Sequence, residues 1–77
     1  MEKTMKYRTS DLYLAAFLKA SGLRFLDKAR IGSKVEFIFE DRGDIDELIQ
    51  EFFNDGKVNI TAFKNAIQDL KTIVFNT

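Results

Sequence analysis

The sequence predicts one small α+β domain over residues 1–77, an antiparallel β-hairpin packed against three helices in the order α-β-β-α-α. Three observations carry this. Apolar residues recur at helical spacing in three separate segments, the stretch between the first two switches to a period of two, and 77 residues are too few to enclose a second core. A chain of this size buries only about 60 to 65 per cent of the surface it exposes when unfolded, so its stability margin is a few kcal/mol.

The first helix is expected over residues 10–21. Thr9 or Ser10 supplies a hydroxyl N-cap, Asp11 suits the positive end of the helix, and Gly22 sits where a left-handed residue ends one. Leu14, Phe17, Leu18 and Ser21 form one stripe, and Leu12, Tyr13, Ala15, Ala16 and Ala20 leave almost no polar face. Such a helix needs cover on more than one side, from the rest of the fold or from a second copy.

Residues 23–40 read as the hairpin. Val35, Phe37 and Phe39 alternate with Glu36, Ile38 and Glu40, and Leu23, Phe25 and Ala29 alternate with Arg24, Lys28 and Arg30. The register follows from making the two apolar faces coincide. A two-residue turn at Gly32-Ser33 sets Phe37 opposite Lys28, whereas a three-residue turn at Arg30-Ile31-Gly32 sets Phe37 opposite Phe25 and Phe39 opposite Leu23. The three-residue turn is the expectation.

Asp44 followed by Glu47 resembles a capping box, and Ile45, Leu48, Ile49, Phe52 and Phe53 repeat along one face of a second helix that stops at Asn54-Asp55-Gly56. Asn59 caps the third, with Val58 placed to pack on Phe63 as a hydrophobic staple. Its buried stripe reads Ile60, Phe63, Ala66, Ile67, Leu70 and Val74.

Composition narrows the chemistry. With no cysteine and no histidine, the chain lacks thiolate nucleophiles and disulfides, the commonest zinc ligand and the usual neutral-pH proton shuttle. The expectation is a protein that is not an enzyme and takes no cofactor; no small-molecule substrate is evident. The longest apolar run, residues 12–18, is far short of the roughly 20 residues that span a bilayer. The charged start of the chain carries no signal-peptide pattern, so a cytoplasmic location and no membrane partner are expected. Asn59-Ile60-Thr61 and Arg42-Gly43-Asp44, which match a glycosylation site and an integrin-binding tripeptide, are chance matches on that expectation.

The zero net charge hides an asymmetry. Residues 1–34 carry eight bases against three acids, and residues 35–77 carry four bases against nine acids. Either the fold is electrically self-complementary or it shows a basic and an acidic face to partners.

Thr9-Ser10-Asp11-Leu12-Tyr13-Leu14-Ala15-Ala16-Phe17-Leu18 and on to Gly22, Val35-Glu36-Phe37-Ile38-Phe39-Glu40-Asp41, and Ala62-Phe63-Lys64-Asn65-Ala66-Ile67 and on to Lys71 resemble a family of short bacterial proteins, the domain of unknown function DUF5659. The resemblance spans nearly the whole chain. Its recurring positions are mostly apolar, so it implies a fold and brings no activity, cofactor or catalytic residue.

Two clusters bear on function. Asp41, Asp44, Asp46 and Glu47 bring carboxylates together, but their spacing is not that of an EF-hand, and acids at a helix start are expected from the helix dipole alone. On the hairpin face opposite the phenylalanines, Arg24, Lys28, Arg30 and Lys34 stand together, with Lys6 and Arg8 as an arm nearby. Such a row can follow phosphates, although Glu36 and Glu40 share its face. The aromatic residues fall mostly on apolar stripes, with Tyr7 and Tyr13 left to a surface. The leading expectation is a macromolecular interaction module that binds a protein partner or self-associates; the alternative is a small nucleic-acid-binding protein that uses the six basic residues.

Overall fold

The computed structural model describes residues 5–54 and 56–76. Residues 1–4, part of the charged start, and Asp55, part of the expected helix stop, lie outside them. The order is β1 (Met5–Thr9), α1 (Leu12–Ala20), β2 (Phe25–Ile31), β3 (Lys34–Asp41), α2 (Ile45–Phe53) and α3 (Ile60–Phe75). The fold is α+β as expected, with one correction. A strand precedes α1, so the hairpin belongs to a three-stranded antiparallel sheet of order β1-β3-β2.

The arm expected at Lys6 and Arg8 is therefore an edge strand. Met5, Tyr7 and Thr9 alternate with Lys6 and Arg8, and Tyr7 and Thr9 pair opposite Phe39 and Phe37. That alternation places Tyr7 half-buried on the inner face, while Tyr13 is 61% exposed. A third strand also removes the weakness of an isolated hairpin.

The hairpin register differs from expectation. Ile31 pairs with Lys34 across a two-residue turn at Gly32-Ser33, with Gly32 at φ 62°, in the left-handed region where glycine is unstrained. Lys28 then faces Phe37 and Arg30 faces Val35, as that turn requires. The apolar faces still meet, because a bulge at Leu26 absorbs one residue and brings Phe25 opposite Phe39. The ring centroids of Phe25 and Phe39 lie 5.6 Å apart, edge to face.

Helix ends show how local chemistry sets the boundaries. Thr9 is paired in β1, so the cap of α1 falls to Asp11, whose Oδ1 accepts from the backbone N–H groups of Tyr13 at 2.9 Å and Leu14 at 3.1 Å. Thr9 Oγ1 in turn accepts from the Asp11 N–H at 3.1 Å. At the other end, the Gly22 N–H donates to Lys19 O and the Leu23 N–H to Leu18 O, a Schellman closure that buries Leu23.

The expected capping box of α2 does not form. Asp44 makes no side-chain bond to the helix, and its Oδ2 accepts from Arg42 at 3.1 Å instead. Gly56 is needed for close approach rather than for a left-handed stop. A Cβ there would lie 2.6 Å from Glu51 O and 2.8 Å from a ring carbon of Phe17. Asn59 caps α3 as expected, accepting from Ala62 N–H at 3.0 Å.

One apolar cluster joins Leu14 to Leu18 of α1, Val35, Phe37 and Phe39 of β3, Ile45 of α2, and Ala66 and Leu70 of α3. Ala15, Ala16 and Leu18 have no exposed surface, so the rest of the chain covers the surplus apolar face of α1. With one helix layer against one sheet face, the molecule is only 18 Å across its shortest dimension. Ile38 points to the other face of the sheet and stands outside the cluster, although its neighbours bury it. Among the described residues no helix is long and apolar enough to cross a membrane.

Candidate functional site

All six basic residues singled out from the sequence are exposed, but they do not form one row. Lys6 and Arg8 stand on the outer face of β1, opposite Glu40 and Ile38. Lys34 begins β3 on the same face, and alternation from Phe25 carries Arg24 there too. The Arg24 carbonyl accepts from the Glu40 N–H at 2.9 Å. Arg8 reaches Glu36 at 3.7 Å, and Asp27 shares the face, so the outer surface is mixed in charge. Lys28 and Arg30 lie on the inner, helix-covered face because the two-residue turn reverses their parity.

The charge asymmetry is partly absorbed within the fold. Arg8–Glu36 and Lys19–Asp69, at 3.7 and 4.0 Å, each join a base from the first half of the chain to an acid from the second. Two of the four clustered carboxylates have separate partners. Asp41 Oδ1 accepts from Gly43 N–H at 2.8 Å and Asp44 pairs with Arg42. Among the described residues no group of three or more acids is arranged to hold a metal ion.

Arg30 leads to a different feature. Beyond the end of β1 the hairpin runs on alone, and the last two turns of α3 lie across its inner face. Between them is a cleft of about 640 Å³. Leu12, Val35, Phe37, Val74 and Phe75 supply its apolar surface, Arg30 and Lys71 its charge, and Ser10 and Ser33 two hydroxyls. Among the described residues no carboxylate lines it. Neither Arg30 nor Lys71 has an ion-pair partner among the described residues. Phe75, at the mouth, is 85% exposed.

A second cleft of about 430 Å³ lies between Phe17, Phe52, Val58, Ile60 and Phe63, with Lys57 as its one charged residue among those described. Phe17 and Phe52 meet there at 5.5 Å. Ile60 and Phe53 nearby are 83% and 70% exposed. The sequence stripes of α2 and α3 placed both inside, but the second and third helices are too short of partners to bury them.

Among the described residues Tyr7 is the one titratable group with a marked shift. Burial holds its hydroxyl above the ordinary tyrosine value, and the negative charges of Asp11 and then Asp46 push it the same way. What the two clefts offer is apolar contact plus attraction for negative charge.

Lys71, Leu12, Ser33 and Phe75 were not legible as a site because they come from three separate segments. One signal was present. Asp27 breaks the alternation begun by Leu23 and Phe25, and reading that break as a bulge would have turned Arg30 inward.

No curated protein and no solved structure matches the chain. The model of a family described as Domain of unknown function (DUF5659) matches residues 4–76, which take in all six elements of the fold, both clefts and every basic residue discussed above, and the chain belongs to that family.

Proposed function

We propose that the protein is a non-catalytic interaction module that binds a macromolecular partner through the cleft between the hairpin and the C-terminal end of α3. The observation that carries this reading is the pairing, among the described residues, of an apolar floor with two unpaired cations and no acid. Apolar contact supplies affinity and the cations select a negatively charged partner. Two sheet edges are also present, but β1 has only five residues and the bulge at Leu26 interrupts β2, both of which blunt strand addition.

Nucleic acid is the weaker reading. A phosphate-binding surface needs a run of bases, and here Glu36, Glu40 and Asp27 interleave with Lys6, Arg8, Arg24 and Lys34.

The test is capture from host lysate with tagged wild-type protein and with Arg30→Glu/Lys71→Glu, each with and without nuclease. The proposal expects a nuclease-resistant protein retained by the wild type and lost from the variant. Retention that ignores the two substitutions, or disappears with nuclease, contradicts it.

A further inference from the structure

The cleft has a counterpart on the same chain. Helix α2 carries Asp46, Glu47 and Glu51 and no base. Its last residue, Phe53, is 70% exposed and stacks only its edge on Phe52, at 5.2 Å. Asp46 precedes Phe53 by seven residues, two helical turns, and so shares its face. Phe53 also sits where the helix dipole is negative, with no basic residue in the last turn to offset it. The chain thus presents an exposed aromatic ring in negative surroundings and, elsewhere, an apolar cleft in positive ones.

The other candidates are weaker. The outer sheet face is neutralised by its own acids, and among the described residues the second cleft has one cation and no counterpart of opposite character.

We infer that the occupant of the cleft is a second copy of this chain, which inserts Phe53 of α2 between Arg30 and Lys71. This rests on the interaction reading above and gives it a partner. Because donor and acceptor surfaces differ, two copies can close the contact reciprocally in an isologous dimer, or further copies extend it head to tail. The basic and acidic halves of the sequence then serve assembly where they are not already paired within one fold. Exposed charges frame the contact, so salt weakens it.

Sedimentation from about 10 µM to about 1 mM is the test, since assembly depends on protomer concentration. The inference expects association that weakens about tenfold as salt rises to several times the physiological level. Arg30→Glu/Lys71→Glu removes the acceptor surface, and Asp46→Lys/Phe53→Ser removes the donor; each is expected to be monomeric. All four positions are exposed, so circular dichroism should report an intact fold, and Arg30→Gln/Lys71→Gln repeats the acceptor test without charge reversal. Mixed in equal amounts, the two variants should form a one-to-one complex, because each retains the half the other has lost. A wild type that stays monomeric throughout overturns the inference, as does association that both variants retain or a mixture that stays monomeric. A monomer that still captures another protein through Arg30 and Lys71 overturns only the second copy as occupant. A monomer that captures nothing overturns the interaction reading as well.

Discussion

Replacing Phe39 by Ala tests which face of the sheet the helices cover. Phe39 lies on the central strand with no exposed surface, faces Tyr7 on one side and Phe25 on the other, and belongs to the main cluster. Truncation at such a site costs about 3 to 5 kcal/mol, from lost transfer energy and the cavity left behind. A domain of this size has a margin of only a few kcal/mol, so most of the native stability goes. The melting temperature should fall by about 12 °C or more. The control is Ile38→Ala. Ile38 is also buried, at 7% exposure, but it faces outward, where flexible neighbours such as Arg8 can settle over the gap. Its loss should cost only about 1 to 2 kcal/mol. Urea unfolding followed by circular dichroism measures both. If Ile38→Ala costs as much as Phe39→Ala, the parity of the sheet described here is wrong.

Three further expectations follow from particular contacts. Asp11→Ala should destabilise by about 1 kcal/mol in thermal unfolding, because two backbone N–H groups lose their acceptor, whereas Ser10→Ala should have little effect; the reverse order would return the cap to Ser10. Tyr7 has a raised folded value, so its contribution is fully present below the ordinary tyrosine value near 10 and is lost as pH rises through the folded one. Melting temperatures in mildly to strongly alkaline buffer should therefore fall less steeply in Tyr7→Phe than in the wild type, and equal slopes would contradict this. In fluorescence anisotropy with duplex DNA at about physiological salt, binding should be no tighter than about 1 µM, the non-specific range. Nanomolar affinity that falls with Arg24→Glu would restore the nucleic-acid reading.

The fold class was legible because three helical stripes and one alternating segment survive in a chain too short for alternatives. Asn59, Gly22 and the apolar residues of β3 stand where their chemistry indicated. β1 was missed although Met5, Tyr7 and Thr9 alternate with Lys6 and Arg8, since a five-residue strand declares itself only beside its partner. The hairpin shows a subtler failure. Matching the apolar faces was the right criterion, but it was met by a bulge at Leu26 rather than by a longer turn. That single residue reverses the parity of Lys28 and Arg30, splitting a supposed outer row and putting Arg30 in one wall of a cleft. The other wall, Lys71 and Phe75, lies more than forty residues further along the chain, and only the tertiary fold brings it there.

The most direct test of the central claim is a pair of ¹⁵N–¹H correlation spectra, at about 20 µM and about 1 mM, compared residue by residue. The account predicts shifts in two separate patches, one at Leu12, Arg30, Ser33 and Lys71 around the cleft and one at Asp46, Gln50 and Phe53 on α2. Identical spectra, or shifts confined to Lys6, Arg8, Glu36 and Glu40 on the outer face of the sheet, would contradict it.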